Sequence, residues 1–294
     1  MTRVFVRFFS SSTRKVDSSY CLNLVKNHDY EHYLCALLLP SRYRDDVIAL
    51  RAFNVELAKI RSSITDKTTG KLRIQFWHEA IENVYKLTPP QHPVATSLCR
   101  AIERKKLTKR WLANIIEARN ENLDDKPYRN LKEVEEYGEK TTSSLFYLTL
   151  ETMDIANVHA DHAASHLGKA EAIVTLLRAT PYHSRYRRVF LPQDILLLHS
   201  VSHEDVIRGK SSKGVKDVVF DLASQANSHL ETAKSLSGKL PQSAKLALLP
   251  FVPCEMFLRN IQRLDFDIFD RKLQIRSTTL PASLLWQRIR YYWS

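Results

Sequence analysis

Apolar residues recur three and four positions apart along most of this chain. Between Arg42 and Ile64, the residues Ala49, Phe53, Leu57, Ile60 and Ile64 fall on one stripe, the spacing of an amphipathic helix. Ile74, Trp77, Ile81 and Val84 predict a second helix, closed by Pro89 and Pro90. Thr108 is the expected N-cap before Trp111, Leu112, Ile115 and Ile116, and Asn130 before "LKEVEEYGEKTTSSLFYLTLETM". The Ala-rich "HADHAASHLGKAEAIVTLLR" favours helix and close packing. Ser202 opens a short turn whose Glu204 and Asp205 suit a helix N-terminus. Val218, Leu222, Ala226, Leu230 and Ala233 make a last long stripe, ended by Gly238 and Pro241. No alternating strand of useful length stands out, and "RVFLP" is too short to found a sheet. The breaks "LTPPQHP" and "SGKLPQS" read as interhelical loops. The pattern predicts one all-α domain of about ten helices.

Composition sharpens that picture. Only 6 glycines among 294 residues leave few left-handed turns, which fits long helices and short loops. A hydrophobic share of 44% supplies a core for one large domain. Cys21, Cys35, Cys99 and Cys254 have neither zinc-ribbon nor redox-motif spacing and read as buried thiols in a reducing compartment. No apolar run reaches the ~18 residues of a membrane span. The net charge of +12 is spread along the chain without a nucleic-acid module signature, so nucleic acid is not an expected partner; an anionic membrane surface is the simpler one. The first sixteen residues, "MTRVFVRFFSSSTRKV", are basic, Ser-rich and free of acids, the composition of a mitochondrial transit peptide; a plain basic tail is the alternative. The expected organisation is a targeting segment over 1–16 and a single helical domain over 17–294.

Local chemistry signals are weak. His28 and His32 in "HDYEH" match an inverted zinc-protease pattern, but no third ligand stands out, and histidines on an amphipathic helix are the simpler reading. His159, His162 and His166 share a helix face without a carboxylate partner segment, and His199 and His203 flank a helix start. There is no nucleophile elbow, P-loop or dinucleotide fingerprint. In "IVTLLRATPYHSRYRRVFLPQD", Tyr182, Tyr186 and Phe190 interleave with Arg178, Arg185, Arg187 and Arg188. Such mixing can hold phosphates, and it also occurs at solvated helix ends.

The order of segments nevertheless resembles a known family. "DYEHYLCALLLP", "ALRAF", "YGEKTTSSLFYLTLE", "LLR" with "RRVFLPQD", and "LLPFVPCEMFLRNIQRLDFDIFD" resemble the squalene/phytoene synthases from about Tyr20 to about Phe269. The resemblance implies an isoprenoid-synthase-like helical barrel around a central cavity. It also implies two acidic motifs facing each other, whose carboxylates hold magnesium under an allylic diphosphate. Here the first motif's place holds Ala58, Lys59, Ile60, Arg61 and Ser62, and the second's Ala179, Thr180, Pro181, Tyr182 and His183. Glu56 is out of register. Lys59 and Arg61 beside a magnesium ion would cost on the order of a few kcal/mol at an effective dielectric of about 20.

The expectation is therefore a scaffold with no catalytic residues, no metal and no cofactor. Lys59, Arg61, Arg178, Arg185, Arg187 and Arg188 become candidates for binding an anion or a partner. With the presequence, the departures resemble a non-catalytic mitochondrial branch of the family. That branch implies a matrix-side, inner-membrane factor for early assembly of respiratory complex I, around its ND1-containing module, with complex I subunits or other assembly factors as partners. Alternatives are an inner-membrane lipid or isoprenoid binder and an active prenyl transferase with relocated ligands. The C-terminal "TLPASLLWQRIRYYWS" offers apolar and aromatic surface beside Arg288 and Arg290, suited to a membrane interface or to packing on the barrel.

Overall fold

The computed structural model describes residues 11–63 and 66–293. Fifteen α-helices account for most of the described residues: α1 Ser11–His28, α2 Tyr30–Leu37, α3 Ser41–Ser62, α4 Lys67–Tyr85, α5 Pro93–Lys105, α6 Lys109–Glu121, α7 Leu131–Gly138, α8 Ser144–Thr152, α9 Val158–Arg185, α10 Gln193–Leu198, α11 His203–Ile207, α12 Lys213–Ser235, α13 Gln242–Ala247, α14 Phe251–Arg263 and α15 Leu280–Trp293. The count exceeds the expected ten because α2, α10, α11 and α13 are too short to show a stripe. Residues 1–10 of the expected targeting segment lie outside the described residues, as does Ile64. Asp17, just beyond that segment, is buried against Arg100 at 3.1 Å.

The sequence stripes become the core. Ala49, Phe53, Leu57 and Ile60 of α3 are buried, as are Ile74, Trp77, Ile81 and Val84 of α4 and the α12 stripe. Phe53 meets Trp77 edge to face at 5.3 Å between ring centres. All four cysteines are buried and free. Asn130 accepts from the Glu133 N–H, and Ser202 forms a reciprocal capping box with Asp205. Thr108 begins α6 without a side-chain cap; the Glu151 carboxylate takes its N–H instead, at 2.9 Å.

Two departures position the cavity. The expected single helix from Leu131 onwards is interrupted by a π-helical turn over Glu139–Ser143. Gly168 of α9 crosses that turn so closely that a Cβ there would lie 2.6 and 2.7 Å from the Ser143 backbone N and Cα. The seam lets α9 lie beside the turn, and Thr142 and Leu145 line the cavity. α9 itself continues through Pro181, where a helix would be expected to stop. It ends in a Schellman motif: the Arg188 N–H bonds the His183 carbonyl, the Arg187 N–H bonds the Ser184 carbonyl, and Arg187 takes φ +55°.

Replacing Gly168 by Ala is expected to lower stability by about 1–3 kcal/mol through collision with the Ser143 backbone. Gly238→Ala, which meets nothing within 4 Å, is expected to be neutral or slightly stabilising. Chemical denaturation of the two variants checks the contrast.

Candidate functional site

α3 and α9 face each other across a cavity of about 610 Å³. From α3, one face presents Arg51, Asn54, Val55, Ala58, Lys59 and Ser62 on successive turns. From α9 come Glu171, Val174, Thr175 and Arg178, again one helical face. Arg119 enters from α6, Met256 and Phe257 from α14, and Arg276 from the segment before α15.

The deep wall is a buried charge cluster. The chain breaks between α1 and α2 at Asp29, and His32, one turn into α2, contacts Asp29 Oδ1 at 2.6 Å and Glu171 Oε1 at 2.9 Å. Burial and the Arg51 charge push the His32 pKa down, but the two carboxylates outweigh both and raise it to about 9. Burial raises the Asp29 carboxyl, yet His32 and Arg51 hold it below its ordinary value. Arg51 is only 4% exposed, lies 3.8 Å from Asp29 Oδ2 and stacks on Phe146. Nearer the opening, Arg178 Nη1 binds Glu31 Oε2 at 2.6 Å. The cavity's three carboxylates, Asp29, Glu31 and Glu171, each therefore have a cationic partner.

The two segments set apart by the sequence fare differently. Ala58, Lys59 and Ser62 line the cavity; Ile60 is buried in the core. Arg61 turns to Asp125, which also receives Arg188 Nε at 3.1 Å. One loop carboxylate thus joins the end of α3 to the chain leaving α9. Burial, then the Arg188 charge, lower the Arg61 pKa. The second segment runs past the cavity. Thr180 and Pro181 are buried, Tyr182 is exposed beside Tyr186, and Ala179 is not part of the wall. His183 meets Phe190 edge to face, and burial followed by Arg188 lowers its pKa.

Of the candidate basic residues, Lys59 and Arg178 reach the cavity, and Arg61 and Arg188 share Asp125. Arg185 and Arg187 stay at the surface, Arg187 near Glu204 at 3.2 Å. Glu56 points to α1, where Tyr20 donates to it at 2.9 Å; burial and that bond raise the Tyr20 pKa to about 12. Of the histidines, His28 and His32 both line the cavity, but from separate helices. His166 instead pairs with His229 at 2.9 Å, and His199 with Asp221 at 2.7 Å.

The donor set does not fit magnesium. Where α3 and α9 face each other at mid-cavity, they present methyl, hydroxyl, ammonium and guanidinium groups, whereas magnesium requires hard anionic oxygens. The two carboxylates of the deep wall contact His32, and Glu31, nearer the opening, binds Arg178.

Sequence reasoning missed Asp29, Glu31, Arg51, Arg119, Asp125 and Glu171. Arg51 carried a signal: it is a charge flanked by Leu50, Ala52 and Phe53. Asp125 carried none, since its partners lie about sixty positions away on both sides.

Comparison with known proteins agrees with this architecture. The squalene/phytoene synthase family model matches residues 25–279. A human protein named NADH dehydrogenase (ubiquinone) complex I, assembly factor 6 is 54% identical over 271 residues, covering 92% of this chain and 81% of that protein. Its Drosophila melanogaster homolog is 38% identical over 92% of the chain and 83% of that protein. Among solved structures, a dehydrosqualene synthase in complex with ligand superposes with a TM-score of 0.81 at 18% identity, covering 96% of this chain and 98% of that one.

The buried cluster has a pH signature. With its pKa raised from the ordinary 6.5 to about 9, protonated His32 contributes its full stabilisation below pH 6.5, and that contribution is lost as pH rises through about 9. Urea unfolding should show falling stability across that window. His32→Ala, which leaves Asp29 and Glu171 buried without their shared cation, should cost about 3–5 kcal/mol and flatten the alkaline fall.

Proposed function

The chain belongs to the squalene/phytoene synthase family, and we propose that it acts without catalysis as an assembly factor for mitochondrial respiratory complex I. The observation that carries this reading is its 54% identity, over 92% of its length, to the human complex I assembly factor 6. The non-catalytic half rests on the cavity. Ala58, Lys59 and Ser62 of α3 stand opposite Thr175 and Arg178 of α9, a wall that repels divalent cations. A prenyl-diphosphate ionisation needs a metal electrophile at the leaving group, and these residues offer no carboxylate to hold one.

Within this reading the protein works at the matrix face of the inner membrane, on the early module that contains ND1. Two features support the membrane side of it. The chain carries a net charge of +12, suited to an anionic surface. On α15, Leu280 and Leu284 are buried against the body, while Leu285, Trp286 and Ile289 project outward, Trp286 at 64% exposure. The helix thus packs on the barrel by one face and offers an apolar face with Arg290 to an interface.

Three outcomes follow. Cells lacking the protein should lose fully assembled complex I on native gels and regain it on re-expression; normal complex I in the deletion strain would end the assembly reading. Purified protein with magnesium and farnesyl or geranylgeranyl diphosphate should release no diphosphate above background. Trp286→Ala with Ile289→Ser should reduce flotation with cardiolipin-containing vesicles several-fold while leaving the melting temperature within a few degrees.

A further inference from the structure

The two most exposed large apolar side chains among the described residues stand next to each other. Leu197 and Leu198, at the end of α10, are 77% and 72% exposed. Their helix is firmly anchored. The Gln193 and Asp194 N–H groups donate to the Tyr128 and Arg129 carbonyls at 3.0 and 3.1 Å, and Ile195 and Leu196 are buried. The end of α10 lies on α12. His199 Nε2 is 2.7 Å from Asp221 Oδ2, and a Cβ on Gly214 would lie 3.1 Å from the His199 carbonyl oxygen. Phe220, the neighbour of Asp221, is exposed and meets Phe266 edge to face at 5.0 Å between ring centres. Leu198 and Phe220 thus flank the His199–Asp221 contact. With Leu197 they form one apolar surface that no described residue covers.

The charge beside this surface runs against the rest of the molecule, which carries +12 overall. Asp194, one turn before Leu198, is exposed, and its Oδ1 takes only the Ile195 N–H, at 2.8 Å. Asp217 lies on the face of α12 between Gly214 and Asp221, the two residues that meet His199. Neither Asp194 nor Asp217 has a cationic partner among the described residues. Two further carboxylates are paired: Asp221 with His199, and Asp265, next to Phe266, with Lys216 at 2.8 Å. The unpaired cations Lys210 and Lys213 stand at the opening of α12, Lys213 about 10 Å of helix rise from Phe220. Uncompensated acid is therefore closest to the apolar side chains.

We infer that this surface docks another protein, through a segment whose apolar side chains are flanked by lysine or arginine. Contact with Leu197, Leu198 and Phe220 supplies the affinity, and Asp194 and Asp217 select the sign of the partner's charge. The anchored backbone under the leucines keeps the ordering cost of binding low. An anionic bilayer does not fit, because it would meet two unpaired carboxylates beside the apolar side chains. A second copy of the same surface would add like charge to like. The surface shares no residue with the cavity wall or the α15 face, and the inference does not rest on the assembly reading.

The test is fluorescence anisotropy of the full chain with two labelled helical peptides. Both carry leucines at three- and four-residue spacing; one is flanked by lysines, the other by glutamates. The lysine peptide is expected to bind and the glutamate peptide not. Leu197→Ser with Leu198→Ser should weaken binding about 10- to 100-fold. The melting temperature of that variant should stay within a few degrees of the parent's, because both side chains are exposed. Asp194→Lys with Asp217→Lys should reverse the preference, so that the glutamate peptide binds instead. Trp286→Ala, on the α15 face, should bind like the parent. No binding of the lysine peptide, equal binding of both peptides, or an unchanged preference in the charge-reversed variant would overturn the inference. So would either sign of another occupant: loss of flotation with cardiolipin-containing vesicles in Leu197→Ser with Leu198→Ser, or self-association of the parent that this variant abolishes.

Discussion

Two carboxylates buried on either side of one side chain stay ionised together only if a cation stands between them; otherwise one must take up a proton. In this protein the cation is His32, held between Asp29 at the α1–α2 break and Glu171 on α9. The desolvation cost is large for all three groups, and only their mutual attraction offsets it. The cluster ties together the start of α2, the middle of α9 and, through Arg51, the middle of α3. Those are the elements whose spacing creates the cavity. The Gly168–Ser143 contact keeps α9 close to the π turn at the same level.

The remaining charges follow from that arrangement. Among the described residues, each carboxylate of the cavity contacts a cation: Asp29 and Glu171 meet His32, and Glu31 meets Arg178. The cavity is positive where the enzymes that the fold resembles are expected to be negative. At its rim, Asp125 joins Arg61 to Arg188 and so fastens the end of α3 to the exit of α9 with a protein carboxylate. Ion pairs within the chain thus hold these helices together.

Much of the fold was legible in the residues. The α3, α4 and α12 stripes marked their buried faces because helical period and burial are the same fact seen from two sides. The end of α9 was not legible. Pro181 signals a stop, yet the helix runs four residues further, with the Thr180 and Ser184 hydroxyls bonded to carbonyls of the same helix. The π turn was hidden for a similar reason: its sequence, "EKTTS", is ordinary helix, and only the close approach of Gly168 distinguishes it. At the site, Ala58, Lys59 and Ser62 reached the cavity, whereas Ala179 to His183 did not join them. Family spacing could place those segments in order but could not give the rotation of each helix. The charge pairs that fill the cavity wall join positions far apart in the chain, so no local pattern announces them.

The account proposes that the cavity holds no divalent cation. Its most direct test is manganese, which resembles magnesium in ligand preference and reports binding by electron paramagnetic resonance. Titrated into the purified chain at near-neutral pH, Mn²⁺ should keep its free-ion signal, with no saturable site at micromolar concentration. A stoichiometric loss of that signal, abolished when Glu171 or Asp29 is replaced by an amide, would contradict the account.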